Sequence, residues 1–247
     1  MQWDRPSGHH GPPTGLYDLH INDDITVFVG CGLGGTSLVN ANVSLRPEPR
    51  VFDDARWPHG LREDLDTLLA DGYRRAEEML QPLPYPDSFP RLSKMEALKK
   101  SAAFLNEKFR LAPINVTFKD GLNPAGVEQS ACKLCGDCMS GCNHRAKNTV
   151  LMNYLPDAKN HGAEIYTRVS VRYVARAGNR WQVHYQLLDA GREKFDAPEM
   201  FVSADIVVLA AGTLGSTEIL LRSKDCGLSM SGKLGQNFTG NGDVLGF

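Results

Sequence analysis

Four glycines fall within the six residues Gly30-Cys31-Gly32-Leu33-Gly34-Gly35, directly after the apolar run that begins at Ile25. Glycine loses more chain entropy on folding than any other residue, so this density needs a reason. A buried strand over Ile25–Gly30 entering a tight turn supplies the setting. Close approach of backbone N–H groups to a pyrophosphate supplies the reason. Gly30, Gly32 and Gly35 fit G-x-G-x-x-G, which carries weight only with a helix, a second strand and an acid about 20 residues further on. Here Thr36–Val43 allows about two helical turns before Pro47 and Pro49 forbid continuation. No strand follows, and Asp53 and Asp54 lie outside any strand. The nicotinamide-dinucleotide turn is therefore excluded. What remains is a loop built against some other nucleotide cofactor, or a glycine turn without a ligand.

The second constraint is Cys132, Cys135, Cys138 and Cys142, spaced C-x2-C-x2-C-x3-C. That is the ligand spacing of bacterial ferredoxins, with Asn143 where proline is usual, and Gly136 and Gly141 permit the turns. A 4Fe–4S or 3Fe–4S cluster here would pass electrons onward. Four thiolates also satisfy a tetrahedral zinc site, and a reduced loop without metal is the third reading. A disulfide framework does not suit a 247-residue chain with no export signal. Cys31 reads as a small space-filler and Cys226 as structural. The chain read as an iron–sulfur electron-transfer or metal-binding module centred on these thiols is the rival to a nucleotide-cofactor enzyme.

Composition narrows the partners. Hydrophobic residues make up 42% and charged residues 23%, ordinary for a globular protein, and the net charge of −2 offers no basic surface for nucleic acid. No apolar run approaches the roughly 18 residues of a membrane span. Met1–Gly15 is polar and lacks a signal-peptide core, which predicts a cytoplasmic protein.

Along the chain, Arg62–Leu80 predicts a helix, weakened at Gly72. Ser93 with Glu96 predicts a capping box opening a helix over Lys94–Phe109. Ile114–Phe118 reads as a strand and Gly121–Asn148 as a loop holding the cysteines. Thr149–Asn160 reads as helical, kinked at Pro156. Glu164–Arg168, Val169–Arg176, Trp181–Leu188 and Met200–Val202 are β-rich. Asp205–Ala210 predicts a buried strand turning at Gly212 into a helix over Ser216–Ser223.

The stretch from Gly30 to Asn40, with Thr36, Ser37 and Asn40 behind the glycines, resembles the signature of the glucose–methanol–choline (GMC) oxidoreductase family, in its cholesterol-oxidase-like branch. Arg168-Val169-Ser170-Val171, the run Asp205–Gly212 with the helix after it, Leu234–Gly240 and the cysteine segment through Thr149 match further family segments in order and spacing. The likeness runs from about Thr14 to the end. It implies an α/β fold: an FAD/NAD(P)-binding Rossmann-like domain, incomplete because its first βαβ unit is missing, with an inserted helical and cysteine-rich segment. Residues 14–50 would be the flavin-wrapping loop, 51–120 the helical insertion, 121–148 the cysteine-rich loop, and 149–247 the β-rich part.

The resemblance further implies FAD, held by Gly30, Gly32, Gly34, Gly35, Thr36, Ser37, Asn40, Val169, Ala211 and Gly212. It implies hydride transfer from a small-molecule alcohol, sterol-like or otherwise apolar, with oxygen or a redox partner as electron acceptor. The family's catalytic histidine is expected beyond Phe247 and its first Rossmann turn before Gly30. The chain is accordingly expected to be a fragment, inactive alone, with a complementary chain as a candidate partner.

Overall fold

The chain divides into two compact units, Met1–Glu164 and Ile165–Phe247. The computed structural model describes residues 1–188 and 199–240, the side chain of Asp66 excepted. The first unit opens with a four-stranded sheet, ordered β2-β1-β3-β4, from β1 (Gln2–Arg5), β2 (Gly8–His10), β3 (Tyr17–Ile21) and β4 (Thr26–Gly30). β1 and β2 pair antiparallel, β1 and β3 parallel, and β3 and β4 antiparallel with Tyr17 opposite Gly30. The polar lead segment hides β1 and β2 from a reading by hydrophobic alternation. The strand predicted to end at Gly30 exists, yet it is an edge strand and half-buried, with Phe28 40% exposed.

Beyond Gly30 the chain makes one 3-10 turn, Gly35–Leu38, rather than two helical turns reaching Val43. Asn42, at φ 54, breaks the helical course, and Val43 forms an isolated bridge with Ile114. The helix predicted over Arg62–Leu80 is divided into α1 (His59–Glu63), a wide π turn at Leu65–Leu69 and α2 (Ala70–Leu80). α3 (Ser93–Phe104) begins with Ser93 already helical and Leu92 as its cap, so the predicted capping box does not form. It also stops short of Phe109, because Asn106 turns the backbone to φ 56. Ile114–Phe118 forms no ladder; Ile114 bridges Val43 and Leu83, and Val116 bridges Lys147.

The cysteine-rich stretch contains a short hairpin, β5 (Gly121–Leu122) with β6 (Glu128–Gln129), and a 3-10 turn at Asp137–Ser140. A further 3-10 turn, Val150–Met152, precedes α4 (Tyr154–Asn160), where the Asn153 side chain accepts the Tyr154 N–H at 2.6 Å. Pro156 falls in the first turn of α4, where a missing N–H breaks no bond, so the region splits at Asn153 rather than kinking. Leu38, Val39, Val116, Ala125 and Ala146 are buried, and so are Asn42, Asn123, Lys147, Asn148 and Asn153.

In the second unit, β7 (Val169–Ala177), β8 (Arg180–Leu187) and β9 (Met200–Ala204) form an antiparallel meander, and α5 (Gly212–Asp225) follows. Two predictions fail here. Glu164–Arg168 is irregular, and Asp205–Ala210 is neither a strand nor buried, with Ile206 and Val208 each 81% exposed. Strand backbone needs a neighbouring strand for its N–H and C=O groups, and no described strand pairs with this segment. Among the described residues β1 and β3 are the one parallel pair, so the fold is mixed α/β without an assembled Rossmann-like sheet. No described helix is long and apolar enough to cross a membrane.

Candidate functional site

The glycine loop is a fold-back. Gly30 donates its N–H to Thr36 Oγ1 at 3.3 Å, and Gly35 N–H bonds Gly32 O at 2.9 Å. A Cβ on Gly30 would lie 2.9 Å from both Gly35 O and Thr36 Cα, so Gly30 is required by the loop's own packing. Gly34 is also engaged from inside, its would-be Cβ 3.1 Å from Leu151 N. Gly35 is different. It sits at φ +56, and the space where a Cβ would project is open to 4 Å. This is backbone that another molecule can approach closely.

The side chains behind the glycines serve unequal roles. Ser37 donates its hydroxyl to Gly34 O at 2.6 Å and accepts the Val150 N–H at 3.0 Å, which ties the loop to the segment before α4. Asn40 is exposed, and its Oδ1 accepts the Asn42 N–H at 3.2 Å. Thr36 and Gly32 are exposed on the same short stretch.

Lys147, only 2% exposed, is the residue that a reading of the sequence misses. Its ammonium donates to Leu38 O at 3.1 Å, Asn40 O at 2.7 Å and Cys138 O at 2.8 Å. One cation thus joins the end of the glycine loop to the cysteine segment. Burial pushes its pKa down, while Cys138 and Cys142 push it up. Asn148 beside it donates to Leu80 O at 2.8 Å. The run Ala146-Lys147-Asn148-Thr149 gives no local sign that all four residues are buried.

Cys135 is exposed, and Cys132, Cys138 and Cys142 are half-buried. Burial raises the Cys138 thiol; a hydrogen bond with Asn42 lowers it, Cys142 and Cys132 raise it further, and Lys147 lowers it. Ligands of a tetrahedral zinc–thiolate site stand about 3.8 Å apart. Among the described residues, no three of the four thiols come within 4.8 Å of one another; Asp4, Asp18 and His20 do. The thiols are therefore not gathered for a single ion.

In the second unit, Val169 opens β7 opposite Leu187 and is half-buried. Ala211 donates its N–H to Ser216 Oγ at 3.0 Å, and Gly212, at φ +73 with open space around it, begins the 14-residue α5. A helix N-terminus that opens on an unobstructed glycine favours an anionic group.

A family model described as GMC oxidoreductase matches residues 14–241. A cholesterol oxidase of Mycobacterium tuberculosis is 28% identical over 246 residues, covering 91% of this chain and 41% of that protein. A cholesterol oxidase of Acinetobacter baumannii is 26% identical over 253 residues, covering 94% of this chain and 44% of its own length. An uncharacterized GMC-type oxidoreductase of M. tuberculosis is 30% identical over 218 residues, 85% of this chain and 30% of the relative. The chain thus spans less than half the length of these curated relatives.

Proposed function

The chain belongs to the GMC oxidoreductase family, in its cholesterol-oxidase-like branch, and from this we propose that it forms the FAD-contacting part of an enzyme oxidising CH–OH groups. An apolar, sterol-like alcohol is the substrate class, supported by the cholesterol oxidases among its relatives. The observation that carries the proposal is the open, positive-φ backbone at Gly35, on a loop whose other glycines are engaged from within.

Bound FAD supplies the acceptor for a hydride equivalent leaving the alcohol carbon. Gly32, Gly34, Gly35 and Thr36 shape the contact surface, with Gly30 as its hinge. Ser37 positions the loop, since its hydroxyl already serves Gly34 and Val150. Asn40 presents its exposed side chain while Lys147 holds its carbonyl. Val169, Ala211 and Gly212 serve the ADP half, where the α5 N-terminus favours a phosphate. None of the chain's histidines is assigned the proton from the substrate hydroxyl, and the isolated chain is proposed to bind FAD weakly without turnover.

Titrating FAD into the purified chain and following flavin fluorescence tests this. The expected result is saturable quenching, weakened about tenfold or more in Gly35→Ala, where a methyl occupies the approach face. Equal binding by both proteins removes the loop from the FAD site. Turnover of alcohols with an artificial acceptor overturns the proposed inactivity. The ferredoxin-like cysteine spacing supports a second reading, a cluster on Cys132, Cys135, Cys138 and Cys142; iron and sulfide analysis of anaerobically prepared protein decides it.

A further inference from the structure

We infer that Asp4, Asp18 and His20, backed by His9, form a binding site for a divalent transition cation, zinc foremost, on one face of the first sheet. The site follows from strand register. Asp4 of β1 lies opposite His20 of the parallel β3, and opposite His9 of the antiparallel β2. Asp18 precedes His20 by two residues on the same strand, which returns it to the same face. Four ionisable side chains from three strands therefore share one surface, although the nearest of them in sequence are two apart.

The geometry is that of a donor set rather than of closed ion pairs. One ligand atom from each of Asp4, Asp18 and His20 lies within 4.8 Å of the other two. His20 sits 3.4 Å from Asp18 Oδ2 through Nε2, and 3.6 Å from Asp4 Oδ2 through Nδ1. Both separations exceed the 2.7–2.9 Å or so of a strong charge-assisted hydrogen bond. One imidazole offers one nitrogen to a single ion, and through Nε2 the 3.4 Å to Asp18 Oδ2 matches the roughly 3.4 Å between neighbouring N and O ligands of a tetrahedral zinc, with Asp4 within the 4.8 Å spread of the set. His9 Nδ1, by contrast, is 2.8 Å from Asp4 Oδ1, a closed contact that holds the carboxylate from outside, as partners of metal ligands do.

A second observation favours a positive charge at this carboxylate. Asp18 Oδ1 is buried and has no hydrogen-bond partner. A carboxylate oxygen withdrawn from water without a partner is costly, and a cation beside it removes that cost. Imidazole together with carboxylate selects zinc and its transition-metal neighbours over magnesium and calcium, which take oxygen alone. Two carboxylates and one imidazole leave room for a water ligand. β3 carries Asp18 opposite Val29 of β4, the strand that leads into the glycine loop. The cation would pin β1 to β3 and so steady the base of that loop.

The test is titration of zinc chloride into the untagged full chain by calorimetry, beside Asp18→Asn and His20→Gln, with cobalt(II) spectra of each. One equivalent should bind, raising the melting temperature. Each variant should lose affinity about tenfold or more and lose the thermal shift. Cobalt should give weak visible bands without the near-ultraviolet thiolate transition that cysteine ligation produces. Absence of zinc binding would leave ion pairs only and overturn the inference. So would binding unchanged in folded variants, or a cobalt adduct dominated by thiolate absorption. Should a variant fail to fold by circular dichroism, the wild-type cobalt spectrum still separates the two ligand classes.

Discussion

A buried lysine with three carbonyl partners is an unusual keystone, because its value lies entirely in what it keeps paired. Lys147→Met preserves the length of the side chain and removes the three donors reaching Leu38, Asn40 and Cys138. The Leu38 carbonyl is left buried without its donor while those of half-buried Cys138 and exposed Asn40 can regain water, so the first unit should lose about 1–3 kcal/mol. Urea unfolding checks this, and an unchanged midpoint would show the three bonds to be dispensable. The glycines separate in the same way. Gly30→Ala forces a Cβ to within 2.9 Å of backbone on two sides and should cost about 1–3 kcal/mol through displacement of the loop. Gly35→Ala meets no atom within 4 Å, so its cost is the left-handed backbone alone, about 1–2 kcal/mol. Thermal melts of the two variants compared with their flavin titrations should therefore rank them oppositely: Gly30→Ala worse relative to its binding loss, Gly35→Ala worse in binding.

At the scale of elements, α5 does more than begin near an open glycine. β7 is the outer strand of its sheet, and an outer strand leaves backbone groups unpaired on one side. α5 covers that side with polar side chains. Ser223, fully buried, accepts the Val174 N–H at 2.9 Å and donates to Ile219 O at 2.7 Å. Arg222 donates to Arg172 O at 2.6 Å, at the register shift between Val171 and Tyr173. Ser223→Ala leaves the Val174 N–H without an acceptor and should destabilise the second unit by about 1–3 kcal/mol. Hydrogen exchange at the Val174 amide is the sharpest readout: it should accelerate with the stability loss, and an unchanged rate would mean the strand edge is held by something other than the helix.

For the whole molecule, the segment Ile206–Ala210 is the point where local sequence and fold part company. Its composition asks for burial, yet Ile206 and Val208 each stand 81% exposed. Exposed apolar residues beside unpaired backbone invite self-association. Replacing both with lysine should reduce light scattering at high concentration without lowering the melting temperature; a lower melting temperature would mean the segment is buried in solution after all. The sequence alone was enough for the turn after β4, for the helical course of α2, α3 and α5, and for the β character of the segments that become β7, β8 and β9, though not for their pairing. Those depend on chain neighbours: glycine torsions, helical periodicity and alternation along one strand. It was also enough for the family, because a signature loop is read in order and spacing. It could not show that Ser37 is spent on Val150, that Lys147 caps the loop from over a hundred residues away, or that Asp4 and His20 stand side by side. It equally could not show that Asp205–Ala210, every bit a strand in composition, lacks a described partner strand. Pairing and burial are bought from distant parts of the chain, and only the tertiary structure decides whether those parts arrive.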